Sequence, residues 1–171
     1  ALQNENYQAE PLLLASTGEV PADADVVVVA GPTRPLLPEE HAALGKYLSG
    51  GGALFALIDP RAQTDLYDDL RSWGVALGED VVVDRTLALF GRATTPFAAS
   101  YATDHPITKG LQEPAMFHMV RSVQATGAPG SQLANLVMTG DASWAERDLA
   151  QFSNQGTVGL EIHQDWPEVD V

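Results

Sequence analysis

No cysteine occurs anywhere in the chain, which excludes thiol nucleophiles, disulfides and thiolate metal sites together. Basic residues are scarce as well. Lysine and arginine number 9 against 23 aspartates and glutamates, and the formal charge of -14 repels phosphate backbones and anionic headgroups, so nucleic acid is not an expected partner. Long hydrophobic runs are also missing. No stretch approaches the roughly 18 apolar residues of a membrane span, and the opening ALQNENYQAE lacks the basic-then-apolar order of a signal peptide.

What remains is the composition of a folding domain, 45% hydrophobic and 19% charged. Its 171 residues fit a single α/β domain spanning 1–171. Short apolar runs bounded by Pro, Gly and Asp, at Glu10 to Ser16 and Asp25 to Gly31, predict strands buried on both faces. After the second, Pro38, Glu39 and Glu40 open a helix and Gly50 to Gly52 stop it, with Ala42, Leu44, Tyr47 and Leu48 facing inward. Ala53 to Ile58 then completes a βαβ unit closing on Asp59.

Leu66, Leu70 and Trp73 recur at helical spacing before a strand at Asp80 to Val83, which predicts a second βαβ unit. Residues 84–114 lose this pattern and read as an excursion from the sheet. Strand composition resumes at Met116 to Val123, Gln132 to Thr139 and Thr157 to Ile162, with a helical turn over Ala142 to Leu149. Residues 1–9 read as the end of a helix running into Pro11, as at an artificial chain boundary. The alternation predicts a three-layer α/β sandwich around a mainly parallel sheet, flavodoxin-like in kind.

The chemistry is sparse. No G-x-S-x-G elbow and no G-x-x-x-x-G-K-[ST] loop is present, and Gly50 to Gly52 precedes a strand, where it serves as a helix stop. Ser143 has no histidine nearby in sequence, so Ser143 or Asp141 is better read as a cap. His41, His105, His118 and His163 stand singly, without the i, i+4 spacing of a helical zinc site. No catalytic residue, metal or cofactor is therefore expected. In open α/β sheets ligands sit at the carboxyl ends of strands, where this chain carries Thr33, Arg34, Asp59, Ser143, Trp144 and Glu146 as candidate ligand- or partner-binding residues. They compete with a plainer reading as turn and capping groups, an Arg34–Asp59 ion pair and a packed Trp144 included.

Residues 20–60 carry Gly31-Pro32, Pro38-Glu39-Glu40, Tyr47-Leu48, Gly51-Gly52 and Asp59-Pro60 in order. YATDHPITKGL at 101–111 and SWAE at 143–146 follow. This set resembles the auxiliary component of Gld-type (gliding-motility-associated) ABC transport systems, although Leu37 stands where that family prefers a capping Ser. The resemblance implies a class I glutamine amidotransferase-like fold without enzyme activity, since the thiol such a site requires is absent. It implies membrane helices lying outside this chain, an extracytoplasmic domain, and permease and ATPase subunits as partners, with a solute or polymer as a further ligand. The resulting expectation is a non-catalytic binding or scaffolding domain. The alternative is a carboxylate- or metal-dependent hydrolase built from Asp59, Asp84, Asp104 and Glu146.

Overall fold

Four successive valines at 26–29 lose side-chain freedom in a helix and favour a pleated strand. In the computed structural model, which describes residues 2–127 and 132–148, they form β1 (Val26–Ala30). Before it lie a 3-10 turn at Leu2–Glu5 and a one-turn helix, α1 (Leu14–Thr17). The expected strand at Glu10 to Ser16 is thus corrected: no described residue pairs with that run, and Gly18 closes the turn at φ 70, its N–H donating to Leu14 O at 2.8 Å.

β1 leads into α2 (Pro38–Ser49) and then β2 (Ala53–Leu57), which pairs with β1 in parallel, Val26 against Ala53 through Ala30 against Leu57. Further along come α3 (Leu66–Ser72), β3 (Val75–Leu77), β4 (Val81–Asp84), α4 (Arg85–Ala88), β5 (Ser100–Tyr101), β6 (Val123–Ala125), β7 (Val137–Met138) and β8 (Ser143–Glu146). β3 pairs with β6, β4 with β8 and β5 with β7, all antiparallel. An isolated bridge joins Phe97 to Met116.

The three-layer sandwich with a mainly parallel sheet, whether flavodoxin-like or amidotransferase-like, is not what forms. Among the described residues there are four two-stranded sheets, and only β1–β2 is parallel. A continuous apolar run states that both faces of a strand are covered, not which way its partner runs. β4 is buried along its whole length, as its valines require, yet its partner is antiparallel β8. The second βαβ unit therefore does not exist. Within the described part of Ala142 to Leu149 the expected helical turn is replaced by β8 at Ser143–Glu146, drawn into extended form by the ladder with β4, and the Thr157 to Ile162 strand lies outside the described residues.

The chain divides into two compact units, one holding Ala1–Ile58 with Gln63–Leu66, the other Asp59–Ala62 with the residues from Tyr67 onward. In the first, α2 supplies buried Ala43 and Leu44, and β1 supplies buried Val27. The opposite face of the parallel pair is open: Val26, Val28, Phe55 and Leu57 are each 47% to 55% exposed. In the second unit the core is built on Val81, Val82 and Val83, with Leu70, Ala93 and Pro96 also buried.

The α2–β2 junction is set by one ring. Tyr47 Oη donates to Ala24 O at 3.1 Å and accepts from Ala53 N at 3.2 Å, so both strand entries hang on it. That ring covers Gly52 so closely that a Cβ there would run into it, and Gly51 turns the chain at φ 92. Because the two hydrogen bonds hold the ring, it cannot swing aside at low cost. Gly52→Ala is expected to lower stability by about 1–3 kcal/mol, read as a fall in the denaturant midpoint at unchanged slope. A midpoint equal to the parent's would show that the ring is free to move.

Candidate functional site

The acids that would build a hydrolase are not gathered. Asp84 accepts Leu87 N at 2.9 Å as the cap of α4, and Ser143 Oγ donates to its other oxygen at 3.0 Å. Glu146 is buried three residues further along β8, about 10 Å away by strand rise, where Oε1 accepts Asp148 N at 2.7 Å. Asp104 is exposed and receives the Thr103 hydroxyl. The Asp59 side chain faces solvent in the turn after β2. Among the described residues no group of three or more His, Asp or Glu is placed to hold a metal ion.

The expected strand-end residues separate into two kinds. Thr33 and Arg34 are exposed in the loop between β1 and α2, and Arg34 forms no ion pair with any described residue. Ser143 and Glu146 are buried and committed to the hydrogen bonds above. Trp144 is half-buried on β8 opposite Val83.

One buried cation went unmarked by any motif. Arg121 lies in the second unit with its Nε donating to Gly78 O at 2.7 Å and its Nη1 donating to Asp59 O at 3.3 Å and Tyr67 Oη at 2.8 Å. Its guanidinium also sits 4.9 Å from the centre of the Tyr67 ring. Tyr67 Oη passes the contact on to Ala62 O at 2.8 Å. The turn Asp59–Ala62 is thereby held at both ends. It closes through Ala62 N to Asp59 O at 3.2 Å, with Pro60 second and Arg61 third at φ 62, a position that favours glycine. Holding an arginine there costs on the order of 1–2 kcal/mol, which the Arg121 and Tyr67 contacts offset.

Gly78 itself admits no side chain, because Asp80 and Ser122 occupy the space a Cβ would need. Asp80 is buried and accepts both Ser122 N at 2.8 Å and Ser122 Oγ at 2.7 Å. Sequence offered only a faint signal for this cluster, an arginine among apolar residues in a chain short of cations.

A second polar pair organises the start of α2. Leu37 has no side-chain oxygen to cap the helix, and Glu40 Oε2 reaches back to accept Leu37 N at 2.8 Å instead. Asp65 accepts Leu36 N at 2.8 Å, and its other oxygen takes His41 Nε2 at 3.1 Å. Chiefly through the Leu36 amide, which outweighs the opposing effect of desolvation, and with a lesser contribution from His41, the Asp65 carboxyl is held below its ordinary value of 3.8. At the amino ends of β1 and β2 lies a cavity of about 410 Å³ lined by Glu19, Asp25, Lys46, Tyr47 and Gly50 among others. Lys46 Nζ stands 3.5 Å from Glu19 at its rim.

A family model described as an ABC-type uncharacterized transport system matches residues 1–161. Among curated proteins none matches significantly. The mmIFT52 N-terminal domain, a solved structure, shares the fold at a TM-score of 0.59 and 17% identity, over 70% of this chain. The aligned part spans 54% of that structure, little more than half. Among the described residues no helix is long and apolar enough to cross a membrane.

Two outcomes follow from these contacts. A lowered carboxyl contributes stability that is present above its unfolded pKa and lost as pH falls through the folded one. Asp65→Asn should therefore melt below the parent at pH 7, with the gap closing below about pH 4; a gap that persists in acid would assign the effect to shape alone. Arg121→Lys keeps the charge but not the fork, so it should lose about 2–4 kcal/mol and rescue little over Arg121→Ala. Equal unfolding midpoints for Arg121→Lys and the parent would refute the fork's role.

Proposed function

Since the chain belongs to the family of ABC-type uncharacterized transport system auxiliary proteins, we propose that it is a non-catalytic docking domain for the permease and ATPase subunits of its own system. The observation that carries this reading is the bare apolar face of the parallel pair, Val26, Val28, Phe55 and Leu57. Parallel strands are ordinarily covered on both faces, and contiguous exposed apolar residues mark surfaces that another chain covers. Thr33 and Arg34, exposed just past β1 in the same unit, are the strand-end residues that can join such a surface. Ser143 and Glu146 are buried and lie with Trp144 in the β8 ladder, which makes them weaker candidates for direct contact.

The same geometry gives less support to a carboxylate- or metal-dependent hydrolase, because Asp84 is engaged by Leu87 N and the Ser143 hydroxyl, Glu146 lies further along β8, and Asp104 receives the Thr103 hydroxyl. The ordered motifs of residues 20–60 support the Gld-type branch of the family. That branch in turn favours an extracytoplasmic domain joined to membrane helices outside this chain. The cavity beside Tyr47 favours a second ligand, a small solute, without displacing the docking role.

Phe55→Asp and Arg34→Ala, each at an exposed position, test the surface by capture of the cognate permease and ATPase subunits. Phe55→Asp is expected to reduce capture at least tenfold at an unchanged melting temperature, as loss of a central apolar contact does. Capture unaffected by Phe55→Asp would remove the sheet face from the interface, and capture unaffected by Arg34→Ala would remove Arg34.

A further inference from the structure

The two most exposed large apolar residues described in the chain are adjacent: Leu89 at 83% and Phe90 at 73%. They form the tip of a small closed loop. Asp84 N donates to Ala93 O at 2.8 Å across its neck, and Arg85 N donates to Ala142 O at 2.9 Å. Inside it, Phe90 N and Arg92 N both donate to Leu87 O at 3.0 Å, and Gly91 turns back at φ 69. The tip is therefore presented by a hydrogen-bonded frame.

Its charge is opposite to that of the chain. Residues 85–92, RTLALFGR, hold two arginines and no acid, in a protein of formal charge -14 with 9 cations in all. Arg85 and Arg92 are exposed, and neither forms an ion pair with a described residue. An acidic surface that leaves two exposed cations without an ion pair among the described residues, beside its most exposed apolar pair, is matched to a target that is both apolar and anionic.

We infer that this loop is a membrane-contact finger: Leu89 and Phe90 enter the interface of a phospholipid bilayer while Arg85 and Arg92 bind lipid phosphates. Leucine and phenylalanine are residues that amphipathic segments sink into the acyl boundary, and cations near the surface are attracted to anionic lipid. The repulsion from the remaining acidic surface is limited, because charges more than about 8 Å from the membrane are screened at physiological salt. A bilayer fits better than a protein groove, because the arginines flank the tip on both sides along the chain, as a plane of phosphates around an inserted side chain demands. This contact does not depend on the docking reading: either can hold without the other.

The absence of cysteine makes the test clean, since Leu89→Cys provides one labelling site in the whole chain. The full chain, carrying an environment-sensitive nitrobenzoxadiazole label there, is titrated with vesicles of three parts phosphatidylcholine to one part phosphatidylglycerol. Blue-shifted, brighter emission is expected, with none from the same label at Glu39→Cys. Arg85→Ala and Arg92→Ala should weaken binding roughly fivefold each and about 25-fold together. Unlabelled protein should sediment with the vesicles, and Leu89→Ser with Phe90→Ser should not. Emission at position 89 that stays in water at millimolar lipid, sedimentation unchanged by the serine pair, or capture of a partner subunit through this loop with no lipid response would overturn the inference.

Discussion

A guanidinium removed from water and given no carboxylate must find its acceptors among backbone carbonyls, and the positions of those carbonyls are then no longer free. Arg121 imposes this constraint on the second unit. Its fork fixes the end of β3 through Gly78 and the turn after β2 through Asp59, and through Tyr67 it fixes the far end of that turn as well. Gly78 lacks a side chain because the neighbouring Asp80–Ser122 pair fills the space, and the next residue after Arg121 is Ser122 itself. Two adjacent residues thus fix Gly78, Arg121 at its carbonyl and Ser122 at its N–H. The left-handed Arg61 is tolerable only inside such a clamp.

The same logic, a polar side chain substituting for a missing backbone partner, recurs in the first unit. Leu37 cannot cap α2, so Glu40 turns back on it and Asp65 arrives from the connection after β2 to hold Leu36 and His41. Residues that chemistry would nominate as reactive are here the fasteners of turns and helix starts. That is why Asp84 and Ser143, which suggest a nucleophile and its partner, sum to a cap and a ladder end.

What could be read from sequence alone was what depends on near neighbours. Pro38, Glu39 and Glu40 at one end and three glycines at the other delimit α2 from its own sequence, and the valines and alanines flanking it give β1 and β2. The direction of β4 was not legible, since its valine run carries no information about a partner that lies beyond residue 140. SWAE misled because Ser and Asp ahead of Trp and Glu look like a helix start until the ladder to β4 claims them. Arg121, Tyr67 and Asp65 act through contacts distant in sequence and belong to no local pattern, so their roles emerge only in three dimensions. Of the six candidate site residues, Thr33, Arg34 and Asp59 are exposed in the loops after β1 and β2, whereas Ser143 and Glu146 are buried within β8 and Trp144 is half-buried there.

The pairing of β4 with β8 has a kinetic side. Asp84 and Ser143 meet across 59 residues of chain, whereas β1 and β2 are joined through a single helix. Closing a longer loop costs only modestly more entropy, growing as the logarithm of its length, but that cost falls before any contact rewards it. The route to the native state is therefore asymmetric: the parallel pair with its helix can assemble from local encounters, while the valine core of the second unit waits for β8 to return. Until it does, Val81, Val82 and Val83 form a short, uncharged, strand-prone edge, and the time the chain spends with that edge open sets its exposure to association with other copies.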